Sequence, residues 1–537
     1  MRVRQSMKWA RRLGASILIG LPSIFVALAS CNSPDATVGP ADGGLPSGSG
    51  GAGGEIGAGG GQGGSGGAGG GQGGAGGVGG GQGGAGGGQG GGSPAGPKAQ
   101  WAKTIGSQSG WEYAEGLAID ALSDIYLAGR YEQALQFSDG AVLFPPQGGG
   151  GVDVLVTKFS PGGEYKWSKG FGGPDDEFPV GLGTDGTKLV VLGHYWGAAN
   201  LGAGALPDAG SYANVFLMSL DPAGAVKWTK AFGDGEEQYA VGLGLDQTGN
   251  IFVTGRFQGS INFGGGGMAM TSAGSDDIFL AKLDGAGGHI WSKRFGDSSS
   301  QSPAALGVDK STGGVIIAGI YDGAVDFGGG NLPAPMSSYT LFVTSFDANG
   351  AHKWSTTFQQ DSFVEPMSLS VAGDGSVYVG GTFSGALGVG SSNILSNDAD
   401  DIFIAKVDAS GAPLWAKSFG NDKVQGVTGM AADADGGIVF VGYFSGTIDF
   451  GGGPVAPAST CDPGDFCHDA YLVKLAADGS HVYSRGLGGM SNDFAEDIAF
   501  DPNGELLMSG TYSYEIDFGL GQPFTGEYSD IFLAKLK

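Results

Sequence analysis

Asp221-Pro222-Ala223-Gly224, followed after three residues by Trp228-Thr229-Lys230, is one of six similar copies of a glycine turn that leads into a Trp-x-Lys-like strand. Another copy is Asp408-Ala409-Ser410-Gly411 with Trp415-Ala416-Lys417, while Ser160 and Ala476 replace the Asp in the first and last copies. The copies recur about every 60 to 70 residues, a period that is typical of a β-propeller when every element resembles a strand.

Each repeat unit contains four predicted strands. The first alternates small and large residues, as in Gly242-Leu243-Gly244-Leu245, which suits an innermost strand beside a narrow axis. The third is almost entirely apolar, as in Asp277-Ile278-Phe279-Leu280-Ala281-Lys282-Leu283, and is expected to lie between two sheets. The fourth is the Trp-x-Lys strand, whose lysines would discourage pairing of an outer edge with another chain.

The second strand carries a glycine and, two residues later, an aromatic ring in all seven units. A ring at this repeated position is expected to pack between adjacent blades, with the glycine allowing close approach of the backbones. The seven pairs are Gly129/Tyr131, Gly193/Tyr195, Gly255/Phe257, Gly319/Tyr321, Gly381/Phe383, Gly442/Phe444 and Gly510/Tyr512.

The two ends of the repeat region complement each other. It begins with an isolated fourth strand, Trp101-Ala102-Lys103-Thr104-Ile105, and stops at Lys537 directly after a third strand. Pairing these ends would complete the last blade and remove an open edge. We therefore predict an all-β fold, a seven-bladed propeller of four-stranded blades over residues 99–537, closed by its N-terminal strand.

From Trp101 to Lys537 the pattern resembles the bacterial seven-bladed β-propeller repeat family (SBBP repeats). The resemblance implies the architecture and an exported protein. It implies no assigned catalytic residues.

Residues 1–30 have the pattern of a signal peptide, with five basic residues before an apolar run from Leu13 to Ala27. The run ends in Leu28-Ala29-Ser30-Cys31, which resembles the lipobox of bacterial lipoproteins and implies cleavage before Cys31 and lipidation of that cysteine. An ordinary signal peptide with a chance cysteine is the alternative. Because Asn32 and not Asp follows, we expect anchoring to the outer membrane or the cell surface.

Residues 31–98 are predicted to be a flexible spacer. From about Gly43 to Gly92 the chain consists mostly of Gly-Gly-Ala and Gly-Gly-Gln units, which cannot bury enough side chain to order themselves. A coil of some fifty residues has a root-mean-square reach of roughly 40 Å. This would hold the propeller clear of the lipid surface.

Charge and cysteines limit the partners. The formal net charge of −26 repels phosphate backbones, so we expect no nucleic-acid partner and regard the charge as favouring solubility. Outside the cytoplasm, Cys461 and Cys467 are expected to form a disulfide that closes their loop. A Cys/His metal site with His468 is an open alternative.

The sequence contains no catalytic motif that we recognise: it has no His-Glu-x-x-His, no Gly-x-Ser-x-Gly and no Walker loop, and its five histidines are scattered. We therefore predict no catalytic residues, no metal site and no cofactor. Calcium at Asp433-Ala434-Asp435-Gly436 is an alternative, although turn chemistry already accounts for Asp and Gly there.

The fourth-to-first and second-to-third connections vary among units and should share one face, opposite the short uniform turns. Variable loops on a rigid scaffold commonly carry binding sites. The leading hypothesis is a membrane-tethered, non-enzymatic and monomeric binding module for a carbohydrate, a cation or a basic protein. An extracellular lyase or hydrolase acting on polysaccharide is the alternative, and a structural surface component is a third. The predicted binding face comprises Trp111, Glu112, Asp176, Glu177, Phe178, Glu236, Glu237, Tyr239, Asp361, Phe363 and Asp493.

Overall fold

The structure, a computed structural model, describes residues 96–146, 151–266, 268–335, 339–397, 400–458, 467–526 and 528–537. The predicted signal peptide, Cys31 and almost all of the spacer lie outside these residues. All regular elements in the described part are β-strands. A search of the same residues finds no helix that is long and apolar enough to span a membrane.

Seven antiparallel four-stranded sheets form the blades, which confirms the predicted seven-bladed propeller. Blade 1 contains Tyr113–Ile119, Ile125–Tyr131, Asp153–Phe159 and Tyr165–Phe171. Blade 2 contains Glu177–Thr184, Leu189–Tyr195, Asn214–Leu220 and Val226–Phe232, and blade 3 contains Gln238–Leu245, Ile251–Phe257, Asp277–Leu283 and His289–Phe295. Blade 4 contains Gln301–Asp309, Gly314–Tyr321, Thr340–Phe346 and His352–Gln360, and blade 5 contains Val364–Val371, Val377–Phe383, Asp401–Val407 and Pro413–Phe419. Blade 6 contains Gln425–Ala432, Ile438–Phe444, Asp469–Leu475 and His481–Leu487.

Blade 7 is built from both ends of the repeat region, as predicted. Its first three strands are Asp493–Phe500, Leu506–Tyr512 and Asp530–Leu536, and its outer strand is Ala99–Gly106. Trp101 pairs with Lys535 and Ile105 with Ile531. Just beyond these strands, Lys98 and Lys537 exchange backbone hydrogen bonds of 2.9 and 2.8 Å. The ring is therefore closed by main-chain pairing, without a free edge at this joint.

The innermost strands interlock through their small residues. A Cβ on Gly242 would stand 2.7 Å from the Leu306 side chain of the next blade, and one on Gly244 would stand 2.5 Å from Val308. Glycine at these positions lets a large side chain from the neighbouring blade fill the space near the axis. This packing explains why small and large residues alternate in the first strand of each unit.

The repeated rings of the second strands are buried between blades, which confirms their predicted role. Phe257, for example, is fully buried in a core that includes Val190 and Leu192 of the preceding blade. The preceding glycine is required because a Cβ on Gly255 would meet the carbonyl oxygen of Tyr239 in the first strand.

Short hairpins in the second-to-third connections extend some outer strands. The hairpin of blade 5 pairs Gly388 and Leu387 with Gln359 and Gln360 of blade 4. The hairpins are Leu135–Phe137 with Val142–Leu143, Ser260–Ile261 with Met270–Thr271, Ala386–Val389 with Ser392–Leu395, Ile448–Asp449 with Pro454–Val455, and Glu515–Ile516 with Phe524–Thr525.

Candidate functional site

Because each blade is an antiparallel meander, its fourth-to-first and second-to-third connections emerge on one side of the ring. We call this side the variable-loop face. The other side carries the short first-to-second and third-to-fourth turns, most of which are held by an aspartate of their own. Asp246, for example, accepts hydrogen bonds from the backbone N–H groups of Thr248 and Asn250 at 2.9 and 3.0 Å.

The loop considered for calcium belongs to this side of short turns. The Asp433 carboxylate accepts hydrogen bonds from the N–H groups of Asp435 and Gly437 at 2.9 and 2.8 Å and pairs with Lys474 at 2.7 Å. The Asp433 carboxylate is therefore already occupied by two N–H groups and the Lys474 ammonium. Among the residues that the structure describes, no group of three or more His, Cys, Asp or Glu side chains could hold a metal ion.

The residues predicted for the binding face differ widely in burial. Trp111, Glu236 and Asp361 are exposed, and Asp176, Glu237 and Phe363 are half-buried. Glu112, Glu177, Phe178, Tyr239 and Asp493 are buried. The structure thus separates the predicted set into surface residues, buried acids and buried rings.

The buried acids Glu112, Glu177 and Asp493 lie in the joints between blades rather than on the loop surface. Burial is the main cause that raises the pKa of Glu112 to about 8, of Glu177 to about 9 and of Asp493 to about 9. Sequence patterns assigned them to loops because a polar residue beside a turn is usually solvated. Each is instead covered by the neighbouring blade.

The buried rings belong to a cluster near the inner edge of the variable-loop face, which we call the mouth cluster. Its aromatic part surrounds His194, whose ring centroid lies 5.8 Å from Phe178, 5.3 Å from Trp196 and 5.1 Å from Tyr239, all edge-on. Strand pairing positions these residues, since Phe178 is the direct partner of His194 across blade 2. The full cluster is Phe178, His194, Trp196, Tyr239, Arg130 and Arg256.

Two arginines flank the rings. The Arg130 guanidinium lies over the rings of Tyr113 and Phe178, at 4.4 and 5.0 Å from their centroids, and pairs with Glu115 at 2.9 Å. Arg256 lies 4.7 Å from the Tyr239 ring centroid and contacts Asp276 at 2.8 Å. Each arginine is therefore held by a ring and a carboxylate, in the geometry of a cation–π contact.

His194 is 6% exposed, and neither of its ring nitrogens has a hydrogen-bond partner in the described part of the chain. Burial, followed by the charges of Arg256 and Arg130, lowers the pKa of His194 to about 3. The ring is therefore neutral at physiological pH. A neutral imidazole can donate one hydrogen bond and accept another, which is what a polar ligand group at this position would use.

Sequence reasoning missed Arg130, His194 and Arg256. All three occupy the middle position of the Gly-x-aromatic motif, where only the glycine and the ring had been interpreted. The signal was available, because this position holds Arg, His, Arg, Ile, Thr, Tyr and Thr in successive units, while the residue before it is always Gly and the residue after it is always Tyr or Phe.

A second aromatic group lies in blades 6 and 7. Tyr443, His468 and Phe494 have centroid distances of 5.2 to 5.5 Å. His468 Nδ1 lies 2.8 Å from the Ser445 hydroxyl, and burial lowers the pKa of His468 to about 4. Cys467 is disulfide-bonded, so its thiol is not available as a metal ligand beside His468. Its predicted partner, Cys461, lies outside the described residues.

Three exposed aromatic side chains form a rim on the variable-loop face where blades 7 and 1 meet. Trp111, Tyr514 and Tyr528 are 40%, 56% and 46% exposed. Trp111 bridges Ser529, and the Gly526 N–H donates to the Tyr514 carbonyl at 2.8 Å, so the three backbones lie close together. Tyr514 has a φ of +63°, a conformation that costs a residue with a side chain about 1–3 kcal/mol.

Comparisons with known proteins add little beyond the fold. No family model matches the chain. An uncharacterized WD repeat-containing protein of Acanthamoeba polyphaga mimivirus is 20% identical over 362 residues, which is 54% of this chain and 26% of that protein. The chain therefore spans about a quarter of the relative's length.

Solved structures similar to the chain include two propellers. The Neurospora crassa Pan2 WD40 domain is 9% identical with a TM-score of 0.38, covering 78% of this chain and 89% of that one. The β-propeller domain of the Trilobed protease from Pyrococcus furiosus is 7% identical with a TM-score of 0.38, covering 78% and 96%. The assignment of the fold rests on the strand pairing described above.

Proposed function

We propose that the protein is an exported lipoprotein, tethered to a membrane through Cys31, whose propeller binds a partner outside the cytoplasm through the variable-loop face. The observation that carries the proposal is the aromatic rim of Trp111, Tyr514 and Tyr528. Rings left exposed together on a rigid scaffold are a common mark of an interaction site. The neighbouring mouth cluster adds buried polar groups that can fix the orientation of a ligand.

The chemistry of the face suits a glycan or a protein of the cell envelope. Exposed Tyr and Trp rings offer a large apolar area together with a polar tip, and therefore suit partners that are only partly apolar. Glu236 and Asp361 are exposed acids on the same face that can accept hydrogen bonds. A net charge of −26 does not favour a nucleic acid.

A variant with Trp111→Ala, Tyr514→Ala and Tyr528→Ala tests the face, with Leu122→Ala in a turn of the opposite face as the matched control. Leu122 is 79% exposed. Thermal unfolding is followed with a panel of soluble glycans. A ligand at a hundredfold over its dissociation constant stabilises the native state by about 2.7 kcal/mol. We expect this gain for the wild type and the control, and its loss in the triple variant.

If no glycan in the panel raises the Tm, protein partners are sought by cross-linking on intact cells. The same triple variant should then lose the cross-linked product while Leu122→Ala keeps it. Equal behaviour of both variants with every partner found would contradict the assignment to this face.

The tether is tested separately by Cys31→Ala, with Ser33→Ala as a neighbouring control. We expect Cys31→Ala to leave the membrane fraction and Ser33→Ala to remain there. Retention of Cys31→Ala in the membrane would contradict lipidation without affecting the binding proposal.

A further inference from the structure

Two positions face each other at each joint between blades. One is the first residue of a third strand, and the other is the first residue of the first strand of the next blade or, in the last joint, the residue just before it. In five joints, the N–H of the second residue donates to the carbonyl of the residue just before the first. For example, the Glu177 N–H donates to the Val152 carbonyl at 2.8 Å. In ring order the pairs are Asp153/Glu177, Asn214/Gln238, Asp277/Gln301, Thr340/Val364, Asp401/Gln425, Asp469/Asp493 and Asp530/Glu112, and all fourteen residues are buried.

The pairs are tightly enclosed. A Cβ added to Gly172 would touch both the Asp153 and the Glu177 carboxyl groups. Gly233 stands in the same relation to Asn214 and Gln238. Glycine at the end of the outer strand thus leaves room for the two polar side chains and for little else.

One amide-containing joint shows a hydrogen bond that the two positions can form with each other. In the joint between blades 5 and 6, the Gln425 amide Nε2 donates to Asp401 Oδ1 at 3.2 Å. The amide supplies the hydrogen that a buried carboxylate oxygen requires. In three other joints the corresponding partner is Glu112, Glu177 or Asp493, which has a hydrogen to donate only when protonated.

The surroundings of these three acids offer no compensating cation among the groups that act on them. Glu177 faces Asp153, Asp175 and Asp176, and Asp153 lies close to Asp176 and to the Tyr131 hydroxyl. Both Asp153 oxygens and Glu177 Oε1 lack a hydrogen-bond partner within the described residues. Two ionised carboxylates in this position would repel each other where water screens little.

In the other two acid pairs, Glu112 and Asp493 also face further carboxyl groups. Glu112 faces Asp530 and Glu132, with Ser107 beside it, and Asp530 also meets the Tyr512 hydroxyl at 3.4 Å. Asp493 faces Asp469 and Glu515, with the N–H of Gly489 donating to it at 2.8 Å. By contrast Asp277, in the joint of blades 3 and 4, is paired with Arg294.

We propose that Asp153/Glu177, Asp469/Asp493 and Asp530/Glu112 each share one proton, so that three of the seven joints are closed by a hydrogen bond between a carboxylic acid and a carboxylate. The shared protons then stabilise the native propeller at these joints, and its free energy of unfolding falls as the pH rises. The pairs are the acidic equivalents of the Gln–Asp pair that another joint uses.

The direction of the pH dependence follows from linkage. Burial, as the largest cause, raises the pKa of Glu177 and Asp493 to about 9, of Glu112 to about 8 and of Asp153 to about 7. Between the ordinary carboxyl pKa near 4 and these values, the native state binds more protons than the unfolded chain, so stability falls as pH rises through this window.

The test compares the full-length wild type with Glu112→Gln/Glu177→Gln/Asp493→Asn by thermal unfolding at pH 5 and pH 9. These amides imitate the other joints. We expect the wild-type Tm to fall by several degrees between the two pH values, and the triple variant to lose most of that fall. Glu236→Gln, which removes an exposed acid from the same face, should behave as the wild type.

The reciprocal variant Gln425→Glu places a new acid against Asp401. It should add a further fall in Tm at pH 9 while changing Tm less at pH 5. It also decides the matter if the triple variant fails to fold. Infrared spectra should show the carbonyl band of a protonated carboxylic acid at pH 6, lost at pH 10 and weakened in Glu177→Gln.

Equal pH slopes in the wild type and the amide variants would overturn the inference. So would a chelator effect. If chelation lowers the Tm of the wild type but not of the triple variant, the pairs hold a cation and not a shared proton.

Discussion

The indole N–H of Trp167 donates a hydrogen bond to the carbonyl oxygen of Pro222, 3.1 Å away, across the joint between blades 1 and 2. Pro222 belongs to the Asp-x-x-Gly turn of the next blade. The two motifs that recur along the sequence are therefore contact partners across the joints, which explains why they recur together. The same bond links Trp291 to Ala348, Trp354 to Ala409 and Trp415 to Ala477.

Gly224→Ala should weaken this contact. Gly224 has a φ of +84°, and a Cβ there would stand 3.1 Å from the Trp167 ring. We expect a loss of about 2–3 kcal/mol, in which a strained backbone conformation and the displaced ring both contribute. Urea unfolding measures it.

Gly504→Ala is the matched control, because Gly504 has a φ of +78° and a Cβ there would have no heavy atom within 4 Å. It should lose only the free energy that a residue with a side chain costs at positive φ, about 1–2 kcal/mol. Equal losses in the two variants would mean that the contact with Trp167 adds nothing to stability.

The fold was predictable because each strand type has its own local pattern, and because the unpaired strand at Trp101 matches the vacancy after Lys537. The candidate site was less predictable from the sequence. Glu177 stands beside a loop in the sequence, but in the structure it is buried next to Asp153, which lies in another blade. Local periodicity carries no information about such a contact. The same holds for His194, whose surroundings come from three blades.

Lys535→Ala should be strongly destabilising. Lys535 Nζ lies 2.9 Å from both Asp501 and Glu505, and its side chain is 5% exposed while that of Asp501 is fully buried. Removing the lysine leaves a buried carboxylate without its cation, which typically costs about 3–5 kcal/mol. Lys537→Ala, whose side chain is 73% exposed, should cost less than about 1 kcal/mol in the same denaturation experiment.

The cost of Lys535→Ala should also depend on pH. Burial alone would raise the pKa of Asp501, but the hydrogen bonds from Lys535 and the backbone outweigh it and lower the pKa. The ionised Asp501 carboxylate therefore contributes to the free energy of unfolding above the ordinary carboxyl pKa, and this contribution is lost as the pH falls below about 4. A cost that stays constant from pH 7 to pH 3 would contradict the assignment of the stabilisation to this ion pair.

Deleting residues 1–106 should open the ring, whereas deleting residues 1–95 should leave it intact. A chain of residues 107–537 lacks Ala99–Gly106. The strand Asp530–Leu536, which is buried in the intact protein, then becomes an edge strand that exposes Ile531 and Leu533. An apolar edge with unpaired backbone groups promotes aggregation. Size-exclusion chromatography should show a monomer for residues 96–537 and aggregates for residues 107–537. A monomeric, cooperatively unfolding chain of residues 107–537 would show that closure is dispensable.

His194→Phe should preserve or raise stability and reduce ligand binding. Phenylalanine can keep the edge-on contacts with Phe178, Trp196 and Tyr239, and it removes two buried ring nitrogens that lack partners in the described residues. Thermal unfolding of the variant and the wild type at pH 7 measures the change in stability, and the glycan panel measures the change in binding.

The gain in stability from His194→Phe should also grow as the pH falls. Because burial and the two arginines hold the pKa of His194 at about 3, the unfolded chain binds a proton below its ordinary value near 6.5 that the native state does not. The wild type therefore loses stability at this residue as the pH falls from 6.5 toward 3, and the variant does not. The Tm difference between variant and wild type should grow from pH 7 to pH 4. His289→Phe, which removes a contact of 3.0 Å between His289 Nε2 and the Ser292 hydroxyl, is the control for replacing an imidazole by a phenyl ring. A Tm difference for His194→Phe that is independent of pH would mean that the imidazole is solvated or partnered in the native protein, and it would then not be available to a ligand at the mouth cluster.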